Sequence, residues 1–158
     1  MDAPDLTKPK SSIDTPLGET LNTLLGETSW LLSHAQTLAD YGRMEEAVAE
    51  LARAVSCEER AAYLLDVVGR EQEAVVHRVN AALCYELLGE RARAVTLLRA
   101  ALSARLADDY RRRVEQRVAR CLKQAKRRIG TPPASGLRTE NAWRMILKIG
   151  DSVKVLFG

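Results

Sequence analysis

The side chains most capable of chemistry in this chain are two histidines, three cysteines and a few paired carboxylates. His77 and Cys84 stand seven residues apart, a spacing that puts both on one face of a helix. Two ligands fall short of the roughly four that a structural zinc site requires, and His34 has no Cys or His near it in sequence. The pairs Glu45–Glu46, Glu58–Glu59 and Asp108–Asp109 are spaced for exposed helix faces or helix starts, with no apolar pocket to raise a carboxyl pKa for general acid work. No glycine-rich phosphate loop, nucleophile elbow or Cys–His–Asn grouping occurs. The sequence therefore predicts no catalytic residues, no metal and no cofactor. Cys57, Cys84 and Cys121 read as free thiols buried in a reducing cytoplasm.

The remaining concentration of chemical character is charge. Between Ser103 and Gly130 lie ten basic residues against three acids, so the rest of the chain is acidic although the whole carries +3. Arg113, Arg117, Arg120, Lys123 and Arg127 step along one helical face. Such a ridge fits a phosphate backbone or an acidic protein surface, including the acidic helices of a second copy. It lacks interleaved aromatics for stacking on bases.

The elements that position these residues are helices. Ala, Leu, Val, Glu and Arg dominate, and aromatics make up only 4%. Unbranched side chains and alanine lose little rotamer freedom in a helix, which makes the chain all-α. No apolar run approaches the ~20 residues of a membrane span, and residues 1–14 lack the apolar core of a secretory signal. That leader is rich in Pro and Ser and reads as disordered.

Thr15–Pro16 opens a first helix to Asp40, with Leu21, Leu24, Leu31, Ala35 and Leu38 on one stripe. Gly42 turns the chain. A second helix from Arg43 either continues unbroken to Val68 or kinks near Ser56, and Gly69 ends it. The third, roughly Arg70 to Leu88, places Ala74, Val75, Arg78, Ala81, Ala82 and Tyr85 inward. After Gly89 a fourth runs from Arg91 to about Arg105, and a fifth from Asp108 to Ile129. Residues 130–137 form a Pro/Gly linker. Residues 138–158 are an apolar tail in which Trp143, Ile146, Leu147 and Phe157 either dock on a partner or fold back.

Two stretches share one spacing: Ala35, Leu38, Gly42, Ala47, Leu51 and Ala54, and then, 47 residues on, Ala82, Tyr85, Gly89, Ala94, Leu98 and Ala101. These residues resemble the small, aromatic and glycine slots of the tetratricopeptide repeat. The early tryptophan slot holds Leu31 and Arg78, and the closing proline is replaced by Glu59 and Leu106. The family's period is about 34 residues, so 13 additional residues must lengthen helices, chiefly the second and third.

The resemblance implies a right-handed stack of antiparallel hairpins over residues 15–129, capped by the fifth helix. It also implies a non-enzymatic adaptor that binds a partner helix or peptide in a groove. Its groove slots are filled by Ser29, Leu32, Gln36, Ala39 and Asp40, and then by Val76, Val79, Leu83, Glu86 and Leu87. Packing of Leu83 and Leu87 against the fifth helix or the tail is the alternative role for those two. A nucleic-acid accessory protein acting through helix 108–129 is the alternative function.

Overall fold

The computed structural model describes residues 16–127, and every described element is helical: α1 (Pro16–Asp40), α2 (Met44–Val67), α3 (Glu71–Leu87), α4 (Arg91–Leu102) and α5 (Asp108–Arg127). Consecutive helices pack against each other in chain order. No described helix is long and apolar enough to cross a membrane. The expected leader, linker and tail, with Trp143, Ile146, Leu147 and Phe157, lie outside the described residues, as do positions 128 and 129.

Three reversals of the chain share one geometry. Gly42, Gly69 and Gly89 have φ of 76°, 79° and 78°, the left-handed region that an L side chain enters only at a cost. Around Gly42, the Arg43 N–H donates to Leu38 O at 2.8 Å and the Gly42 N–H to Ala39 O at 2.9 Å. The same two bonds recur as Arg70 to Leu65 and Gly69 to Asp66, and again as Glu90 to Tyr85 and Gly89 to Glu86. This is the Schellman termination, which satisfies carbonyls that the helix end would otherwise leave bare. The residue after each glycine then pairs with the side chain three positions on, as Arg43–Glu46, Arg70–Glu73 and Glu90–Arg93.

The sequence reading identified two such units; the fold contains a third. Ala62, Leu65, Gly69, Ala74, Arg78 and Ala81 repeat the same offsets. The 47-residue interval thus encloses an intermediate turn, 27 residues after the first glycine and 20 before the last. Most of the extra length falls in α2, which runs 24 residues without a break at Ser56, as expected of a segment lacking Gly and Pro.

Alanines fill the crossings. Ala35, Ala47, Ala54, Ala74, Ala81, Ala82, Ala94 and Ala101 are wholly inaccessible, interleaved with the fully buried Leu31, Leu51, Leu65 and Leu98. Methyl groups at the contact points let helix axes approach more closely than leucine would.

Two local expectations are corrected. The fourth helix stops at Leu102 rather than near Arg105. Arg111 intercepts its end, its Nη1 donating to Leu102 O and its Nη2 to Ala104 O, each at 3.1 Å. The inward residue of α3 near its middle is His77, not Arg78. Arg78 is only half-buried and pairs with Asp66 at the end of α2.

Replacing Gly69 and Gly26 with alanine separates conformation from packing, because an added Cβ at either meets open space. Gly69→Ala forces alanine into left-handed backbone and costs about 1 kcal/mol. Gly26→Ala, inside α1, gains roughly 0.5–1 kcal/mol from helix propensity. Urea denaturation of the two variants checks the opposite signs.

Candidate interaction surface

Glu58 is where the structure departs furthest from the sequence expectation. It is not on an exposed face: the residue is 3% accessible, and its carboxylate faces α3. His77 Nδ1 lies 2.6 Å from Glu58 Oε2, and Asn80 Nδ2 donates to Oε1 at 3.4 Å. Steps of three and four from Leu51 through Ala54 and Val55 to Ala61 and Leu65 carry the apolar stripe of α2 straight through position 58. A continuous helix was the signal that would have found it. Its neighbour Glu59 is exposed and accepts a bond from the Tyr85 hydroxyl at 3.3 Å.

This trio has the residue types of an acid–base site but no access for a substrate. Its role is structural: the Glu58 side chain is held between α2 and α3 by the polar side chains that α3 supplies. The nearby thiol is no nucleophile. Burial pushes Cys84 far above the ordinary thiol range, with the Glu58 carboxylate adding to the effect. Burial and then the Glu86 carboxylate push Cys121 up to about 12, and Cys57 is raised by burial and Glu27. All three are free.

The groove slots divide by burial. Leu32, Leu83 and Leu87 are core residues, each under 9% accessible, so they support the helices and offer a partner nothing. Ser29 and Asp40 are exposed, and Gln36, Ala39, Val76, Val79 and Glu86 are half-buried. What remains for a partner is a mixed strip in which Val76 and Val79 supply the apolar contact.

The basic face and the groove meet at one pair. Arg117 Nε donates to Glu86 Oε1 at 2.8 Å, with each side chain 14% accessible. Arg117 is therefore engaged in joining α5 to α3. Arg113, Arg120 and Lys123 are exposed, while Arg112 pairs with Asp109. Arg127 is the last described residue of α5. Opposite the cations, Val114, Val118 and Cys121 turn toward the body, and Gln124 Oε1 accepts from Arg91 Nε at 3.4 Å.

The sequence reading missed the exposed aromatics. Trp30, Tyr41 and Tyr63 are 57%, 79% and 67% accessible. Trp30 stacks on the His34 imidazole with centroids 4.7 Å apart. Trp30 and Tyr63 fall between the apolar steps of α1 and α2, and this phase was the available signal.

Two outcomes follow from the buried groups. Glu58→Ala leaves polar atoms of His77 and Asn80 facing an apolar gap and costs about 1–3 kcal/mol for each group so stranded, read as a lower urea midpoint. The thiols give an alkaline signature. Unfolded cysteines ionise from pH ~8.5 while the folded ones keep their protons. Their stabilising effect is complete below that pH and is lost progressively up to about 12, the value for Cys121. Thermal melts between pH 7 and 10.5 check the fall, and Ellman's reagent reacts with native protein only as it opens.

No protein-family model matches the chain, and no relative is found among curated proteins or solved structures.

Proposed function

We propose that the protein is a non-enzymatic interaction scaffold of tetratricopeptide-like build. It binds a helical or extended segment of a protein partner along the strip between α1, α3 and α5. The observation that carries this reading is the triple recurrence of one hydrogen-bonded glycine turn flanked by inaccessible alanines. A sequence repeats such a unit to build a surface by stacking, and stacked hairpins present a continuous face to extended ligands. The strip has the composition of a peptide groove, with Val76 and Val79 for apolar contact and Gln36, Asp40 and Ser29 for polar anchoring. The closed Glu58–His77 pair and the raised thiols favour binding over catalysis. A reducing cytoplasm suits three unpaired, buried cysteines.

A second reading is nucleic-acid binding through α5, favoured by the exposure of Arg113, Arg120 and Lys123. With no exposed aromatic on α5, such contact would be to phosphates, sequence-blind and strongly salt-dependent.

The test pairs affinity purification with a defined variant. Val76→Asp combined with Asp40→Lys, neither residue packed in the core, abolishes capture of a protein partner that the parent retains at physiological salt, while the melting temperature changes little. Equal capture by parent and variant overturns the groove assignment. Replacing the exposed Arg113, Arg120 and Lys123 with Glu leaves that capture intact; loss of oligonucleotide affinity instead of protein affinity favours the second reading.

A further inference from the structure

Charge and exposed apolar surface are segregated to opposite ends of the helix series. Residues 16–67, covering α1 and α2, hold nine acids against three bases, whereas α5 holds eight bases against three acids. Among the described residues six large apolar side chains are exposed, and five of them (Trp30, Tyr41, Tyr63, Val67 and Val68) belong to the acidic hairpin and its closing turn. Because the helices pack in order, α1 and α5 stand at the two ends. The partners of α5 lie on α3 and α4, at Glu86 and Arg91.

We infer that the chain associates with itself head to tail, the basic face of α5 in one copy seating on the acidic, aromatic face of α1 in the next. Glu19, Glu27 and Trp30 are all exposed along α1, Glu27 in a long, exposed ion pair with Arg53 at 3.7 Å, and Arg113, Arg120 and Lys123 are exposed along α5. At 1.5 Å per residue the first set spans about 16 Å and the second about 15 Å, so two helices laid side by side match in length. Carboxylates meet guanidinium and ammonium groups, and Trp30 gives an arginine a ring face for a cation–π contact. A polyanion would account for the basic face and leave the acidic aromatic end without a role. A second copy accounts for both in one contact. The joined surfaces differ, so the contact is heterologous, and each pair formed leaves one free end of either kind.

The test uses the full chain and two variants whose substitutions are confined to exposed residues. One carries Arg113→Glu, Arg120→Glu and Lys123→Glu; the other carries Glu19→Gln, Glu27→Gln and Trp30→Ala. Circular dichroism melts confirm that both fold. Sedimentation of the parent shows a weight-average mass rising with concentration above 17.5 kDa at ~20 mM salt and falling back at ~0.5 M, where exposed charges are screened. Each variant alone stays monomeric, and an equimolar mixture forms a dimer that grows no further, because only one intact face of each kind remains. A parent that is monomeric at every concentration overturns the proposal, as does a mixture that fails to pair. Salt-sensitive binding of a labelled oligonucleotide by such a monomeric parent, lost in the first variant, assigns α5 to nucleic acid instead.

Discussion

Close approach of helix axes is the constraint on which this fold depends. Eight alanines without accessible surface sit where helices cross, and each crossing works only if the chain reverses tightly enough to bring the next helix back at short range. The glycines at 42, 69 and 89 supply that reversal by occupying backbone that alanine or leucine would resist. Turn and crossing are thus two parts of one requirement. A bulkier residue at Ala47, Ala74 or Ala94, five positions after each glycine, would push the helices apart just where the turn holds them together.

Alanine contacts are interchangeable along a helix, so they do little to fix which residue meets which. The polar trio between α2 and α3 supplies that information. Glu58 meets His77 and Asn80 in a single register, and a slide by one turn would strand a carboxylate in an apolar interior. Between α3 and α5 the half-buried Arg117–Glu86 pair acts similarly, and it consumes a cation that sequence inspection assigns to a free basic ridge. Part of the charge in α5 therefore serves assembly of the fold.

How much could be read in advance follows from the range of each signal. Helix number, type and most ends were legible, because glycine punctuation and three- and four-residue steps are local: α1 ends at Asp40 and α4 begins at Arg91, as the sequence reading had them. The end of α4 was not, since Leu102 is stopped by Arg111, a residue outside the helix. The third repeated unit is masked in the sequence because α2 serves two hairpins at once, so its alanines belong both to the turn at Gly42 and to the turn at Gly69. Leu32, Leu83 and Leu87 were assigned to a groove by family position, yet burial depends on neighbouring helices and no spacing rule reports it. Glu58 was misplaced for a related reason: adjacent to Glu59, it looks like half of a solvated pair until the phase of α2 is carried through it.

The single guanidinium of Arg111 has a mechanical consequence. By holding the carbonyl of the last residue of α4 and another two residues beyond it, from a position on the first turn of α5, it rivets the short irregular link at 103–107 to both of its neighbours. Peeling α5 away must strip those carbonyls in the same event, so the end of α4 and the start of α5 fray together as one cooperative patch. Ser103, Arg105 and Ala107 of that link face solvent, yet the backbone stays clamped to both helices, so a protease that must draw an extended strand into its cleft cuts there only once the final helix has already let go.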